Sequence, residues 1–132
     1  MSIDAILAEL KRMYRADLEE TRLEVTHLKD SDIQRWSTNL SVPRSILYDN
    51  IALHLAYDFH NSKLPFVFCD TIVNDIHAVI TVANDDRPSL FWDVFLAFDS
   101  GEFYPDNRRD KDPAETYTRP LIAQIIKRYS RP

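Results

Sequence analysis

The sequence predicts an all-α fold, an irregular bundle of four or five helices, and three observations carry that prediction. The chain holds one glycine, Gly101, in 132 residues, where average usage of about 7% would supply roughly nine. Tight hairpins draw on glycine for positive φ, so a strand-rich fold is disfavoured. Apolar residues recur at helical spacing along most of the chain. Pro43 and Pro113 stand where a proline opens the first turn of a helix.

The first segment, Ser2 to Arg15, carries Ile3, Ile6, Leu7, Leu10, Met13 and Tyr14 on one stripe. Ser2 is the expected N-cap and Asp4 lies in the first turn, where the helix dipole favours an acid. The stripe continues through Leu18, Val25 and Leu28, which would take the helix into the middle twenties. The stretch SDIQRWS follows as a short second helix capped by Asp30 or Ser31. Ser41 and Pro43 then open a helix over Arg44–Asn61. Its expected apolar face holds Ile46, Leu47, Leu53, Ala56 and Tyr57, opposite Asp49, Asn50, His54, Asp58, His60 and Asn61.

The stretch from Phe66 to Val82 sets propensity against periodicity. Val, Ile and Thr are dense and favour strand. On a helical wheel, however, Phe68, Cys69, Ile72, Val73, Ile76, Val79 and Ile80 fall within an arc of about 140°, with Asp70, Asn74, His77 and Thr81 opposite. Periodicity decides for helix. The alternative is an α+β fold with strands within 66–98, turning at Asn74-Asp75. The segment LFWDVFLAFD, Leu90 to Asp99, is apolar nearly all round. It begins at Asp86 or at Ser89 and ends at Ser100-Gly101, in a left-handed glycine stop. As a strand it would place Leu90, Trp92, Val94, Leu96 and Phe98 on one face.

Residues 102–112 read as a polar loop with a turn at Pro105-Asp106. Asp112, Pro113 and Glu115 form a strong helix opening. Pro120 kinks that helix or restarts it from Thr118. Leu121, Ile122, Ile125, Ile126 and Tyr129 form its stripe, and Lys127 and Arg128 suit its C-terminal end.

Composition bounds the rest. A hydrophobic fraction of 45% with 28% charged residues is ordinary, and residues 1–132 are expected to form a single globular helical domain. Apolar runs are soon broken by Asp or Asn, so no membrane span is expected. The opening MSIDAILAELKR is unlike a secretory signal. The lone Cys69 cannot form an internal disulfide and fits a reducing compartment, which makes the cytoplasm the expected location. A net charge of −5 weighs against nucleic-acid binding and suits a basic protein partner.

One glycine excludes every glycine-patterned phosphate loop and the nucleophile elbow, and no motif calls for a cofactor. His54 and Asp58 share one helical face, and Asp70, Asn74 and His77 share another. Antiparallel packing would gather them, giving the alternative of a metal-dependent enzyme using His54, Asp58, Asp70 and His77. Without a linear metal motif these read first as solvated faces, and no metal ligand or catalytic residue is assigned. Cys69 lies in its helix's apolar arc and reads as a small core hydrophobe. A helix-turn-helix alternative would use Arg44, Ser45 and Tyr48 on a second helix, against the acidic charge and two aspartates facing phosphate. The aromatic concentration at Phe91, Trp92, Phe95, Phe103 and Tyr104 marks the candidate interface, for a homodimer or another protein. The leading expectation is a small non-catalytic interaction or regulatory protein, such as an immunity-type inhibitor of a basic partner.

Overall fold

Three α-helices among the described residues begin directly after a proline. The computed structural model describes residues 2–20, 28–104 and 111–129. In order, it contains α1 (Ile3–Glu20), α2 (Asp30–Leu40), α3 (Arg44–His60), α4 (Phe66–Ala83), α5 (Ser89–Asp99), a π-helical turn (Ala114–Thr118) and α6 (Arg119–Tyr129). The fold is all-α, with no strand among the described residues, so the strand alternative for 66–98 falls away. Among the described residues there are six α-helices rather than four or five, because the SDIQRWS piece is a complete helix.

Pro43, Pro65 and Pro88 precede α3, α4 and α5 in extended conformation, at ψ 154°, 159° and 152°. Each carbonyl accepts the first bond of its helix, from Leu47, Cys69 and Trp92 at 3.1, 3.3 and 3.0 Å. A locked φ and a missing N–H cost nothing at that position. Pro43 therefore caps α3 rather than sitting in its first turn. Ser41 does not cap α3 but ends α2, at φ 57°. Similarly, Asp30 lies inside α2, whose entry is held by Asp32 accepting the Lys29 N–H at 3.0 Å. Ser2 caps α1 as expected, its hydroxyl accepting the Ala5 N–H at 3.2 Å. Helix α1 extends past Arg15 to Glu20; Val25 lies outside the described residues, and Leu28 is buried but not helical.

Left-handed turns here do without glycine. Ser41, Ser62 and Asn84 take φ near 60° (57°, 60° and 58°), and Gly101 does not. The expected left-handed glycine stop of α5 is thus corrected. Ser100 continues in helical conformation, and its N–H bonds Leu96 at 3.0 Å. Gly101 is needed for space instead. A Cβ there would overlap Thr118 Oγ1 and come within 3.0 Å of both Ala114 Cα and Phe66 Cε1.

Helix α3 is the hub and packs against each of the other five. Its buried face is Leu47, Tyr48, Ile51, Ala52, Leu55, Ala56 and Phe59. Of the expected apolar face, Leu47 and Ala56 are buried, but Ile46 is exposed and Leu53 and Tyr57 are only partly buried. A central helix touched from several sides buries a broad arc, and apolar residues left outside that arc mislead a wheel. On α4 the expected stripe, Phe68 through Ile80, is buried throughout. Helix α4 also reaches the length and mean hydropathy (18 residues, 1.5) of a membrane-crossing helix, which the broken apolar runs did not suggest. Here its apolar stripe packs in the core.

Polar contacts pin the ends. Arg44 pairs with Asp30 at 2.5 Å and with Asp85 at 3.0 Å, and donates to the Tyr48 hydroxyl at 3.0 Å. Tyr48 in turn donates to Asp85 at 2.6 Å. The Tyr14 hydroxyl ties α1 to α4 through Asp75 at 2.6 Å. At the last helix, the Arg119 N–H reaches back to Ala114 O, a π register placed just before Pro120, which has no N–H to donate. That turn directs the buried Thr118 hydroxyl onto Ala97 O at 2.7 Å, satisfying a carbonyl in the last turn of α5.

Candidate functional site

The seam between α4 and α5 brings together partly exposed aromatic side chains and, at one end, acidic ones. Both helices are placed by their prolines, and the short link from Asn84 to Pro88 returns the chain antiparallel. Helix α5 lacks a side-chain cap of its own. Asp49 of α3, read from the sequence as solvated, supplies one by accepting the Phe91 N–H at 2.8 Å. Burial pushes the Asp49 carboxyl above its ordinary value, and that N–H partly offsets the effect.

Four side chains stack along the seam. The Arg87 guanidinium lies 3.6 Å from the Trp92 ring centroid. Trp92 stacks on Phe95 at 5.0 Å and 11°, and Phe95 stacks on His77 of α4 at 4.6 Å and 25°. Offset stacking and a cation on an indole face are both favourable arrangements. Trp92 and Phe95 stay half-buried, and Leu96 next to Trp92 on the helix surface is 42% exposed. Leu96 and Leu121 line a cleft of about 210 Å³ between α5 and α6.

Beyond His77, towards the start of α4, the seam turns acidic. The Asn74 side-chain amide donates to Asp70 Oδ1 at 3.2 Å and to Glu102 Oε2 at 3.1 Å. Burial pushes the Asp70 carboxyl up to about 8, helped by its hydrogen bond with Glu102 and by the charges of Glu102 and Asp99. Six acids elsewhere have basic partners: Glu9 and Asp32 have Arg35, Asp30 and Asp85 have Arg44, Asp93 has Arg128, and Glu115 has Arg119. Asp70, Asp99 and Glu102 have none among the described residues. Phe103, 71% exposed, follows directly, and Tyr104 is exposed beside it.

The structure therefore divides the five aromatic candidates. Phe91 is corrected outright: it is fully buried, because its side of α5 faces α3 and packs near Tyr48. Trp92 and Phe95 occupy the seam, and Phe103 and Tyr104 flank its acidic end. The metal candidates are not gathered. His54 Nδ1 sits 3.0 Å from Asn50 O on its own helix, His77 is in the stack, and Asp70 faces Asn74 and Glu102. No three His, Cys, Asp or Glu side chains form a metal-holding group among the described residues. Arg44 and Tyr48, the helix-turn-helix candidates, are engaged in the polar cluster, and Tyr48 is fully buried. Cys69 is a buried thiol whose ionisation burial opposes. Sequence reasoning missed Glu102 and Arg87. Both lie in connections, where no periodicity marks a shared face.

Compared with protein-family models, curated proteins and solved structures, the chain has no significant match in any of the three.

Proposed function

We propose that this chain is a small non-catalytic interaction protein whose working surface is the α4–α5 seam. The observation that carries this reading is the half-exposed Arg87–Trp92–Phe95–His77 stack. Aromatic and arginine side chains dominate association hot spots, and stacking leaves them little rotamer freedom to lose on binding. The adjoining exposed Leu96 extends the apolar area. The free buried thiol of Cys69 and the net charge of −5 suit a cytoplasmic protein that meets a basic partner.

The test compares wild type with Trp92→Ala and with Val67→Ser, a control on exposed α4 surface away from the stack. A partner captured from the native host by wild type and by Val67→Ser, and lost with a folded Trp92→Ala, supports the reading. Equal capture by all three refutes it. Sedimentation of the purified chain asks the same of self-association.

A further inference from the structure

The geometry points to Asp49 as a positioning residue for the α4–α5 seam: its cap on α5, reaching across from α3, seats Arg87 on Trp92. This rests on the reading of the seam as the association surface and adds what holds that surface in shape. Pro88 occupies the N-cap position of α5 and offers no side-chain acceptor. Phe91 is then the third helical residue, whose N–H has no partner within the helix. Asp49 supplies that partner at 2.8 Å, in place of the side chain that a capping residue would provide. The same stretch of α3 holds the Phe91 ring, which is fully buried with its centroid 6.3 Å from that of Tyr48. Helix α3 thus grips Phe91 by both amide and ring.

Trp92 follows one residue on, turned about 100° around α5 and out to the seam. Arg87 stands immediately before the N-cap, and Trp92 is the fourth helical residue. Side chains at those two positions meet across a wound first turn and fix the angle at which the chain enters the helix. The 3.6 Å contact of Arg87 with the indole therefore depends on that turn. The turn is held by the Trp92 N–H on Pro88 O at 3.0 Å and by the Phe91 N–H on Asp49. Losing the second bond frees the entering chain and lets Arg87 leave the indole.

Nuclear magnetic resonance of the ¹⁵N-labelled full chain tests this. In wild type the indole ring current should displace the Arg87 Nε–H signal from its ordinary position. The Trp36 indole on α2, which donates to Glu9 at 3.0 Å, serves as the reference for an intact fold. Asp49→Ala is expected to return the Arg87 signal to its ordinary position and to shift the Trp92 indole, with Trp36 in place. Asp49→Asn keeps an oxygen acceptor and is expected to leave both signals as in wild type. A cap that served stability alone would lower the unfolding midpoint of Asp49→Ala without moving either signal in the folded protein. That outcome, or Asp49→Asn behaving as Asp49→Ala does, overturns the inference. If Asp49→Ala does not fold, Asp49→Ser is read in the same way. These signals come from the chain alone and so stand apart from the capture test of the association surface. Displaced signals in a folded Asp49→Ala whose capture equals that of wild type overturn the association surface and leave Asp49 only as the support of the stack.

Discussion

Replacing Gly101 with alanine tests how the two ends of the bundle lock together. The new methyl would overlap Thr118 Oγ1 and press on the Ala114 backbone and the Phe66 ring. The Ala114 backbone cannot yield locally, because it lies in the π-helical turn. Phe66 is packed against Phe59 and Phe98, at centroid distances of 6.4 and 5.8 Å. Thr118 can rotate, but its hydroxyl then leaves Ala97 O, a buried bond at 2.7 Å. Overpacking costs about 1–3 kcal/mol, and the orphaned carbonyl costs about 1–3 kcal/mol. Stiffening the unfolded chain returns about 0.4–1 kcal/mol. The expected net loss is about 3 kcal/mol, since the two costs outweigh the gain. Urea unfolding followed by circular dichroism measures it. Thr118→Ala removes the atom in the way, so the double variant should lose markedly less than the sum of the two single losses. A Gly101→Ala protein as stable as wild type, or strict additivity in the double variant, refutes the reasoning.

Three further outcomes are expected. Ile76→Asp puts an unpaired carboxylate into the core at a fully buried position and should cost several kcal/mol, whereas Thr81→Asp on the exposed face should cost far less; equal urea midpoints would show the α4 wheel to be wrong. Asp70 is neutral in the fold over a pH range where it ionises in the unfolded chain, its carboxyl moving from 3.8 to about 8. The folded state then holds more protons than the unfolded, so this contribution is full below about 4 and is lost as pH rises towards about 8; Asp70→Asn should flatten the fall of stability across that window, and an unchanged pH profile would sink the assignment. Finally, His54 and His77 should hold no stoichiometric zinc or iron, because neither has convergent ligands among the described residues. Metal that survives chelation and disappears on His54→Ala would revive the enzyme reading.

Much of the fold was legible because helix formation is a local matter. The α4 stripe could be read residue by residue, since a 3.6-residue period over a long segment outweighs β propensity. The caps at Ser2 and Asp112 were legible for the same reason, each bonding an N–H within three residues. The scarcity of glycine pointed correctly to helices. The left-handed turns that glycine often supplies are made here by Ser41, Ser62 and Asn84. The candidate site was only partly legible. Trp92 and Phe95 stood out by composition, but nothing local distinguishes them from the fully buried Phe91 one residue away.

By itself, then, the sequence determined the class of fold, the helix starts marked by Ser2 and Asp112, and the inward stripe of α4. These depend on neighbours within a turn or two. The tertiary structure alone decided which helix became the hub, and so which side of α3 and α5 was buried. It brought Arg87 and His77 to opposite ends of one aromatic stack, and Glu102 to Asp70 across 32 positions of sequence. It also turned Gly101 from an expected conformational stop into a space-making contact beneath Thr118. Such pairings are set by how helices cross and close on one another, and no period along the chain encodes them.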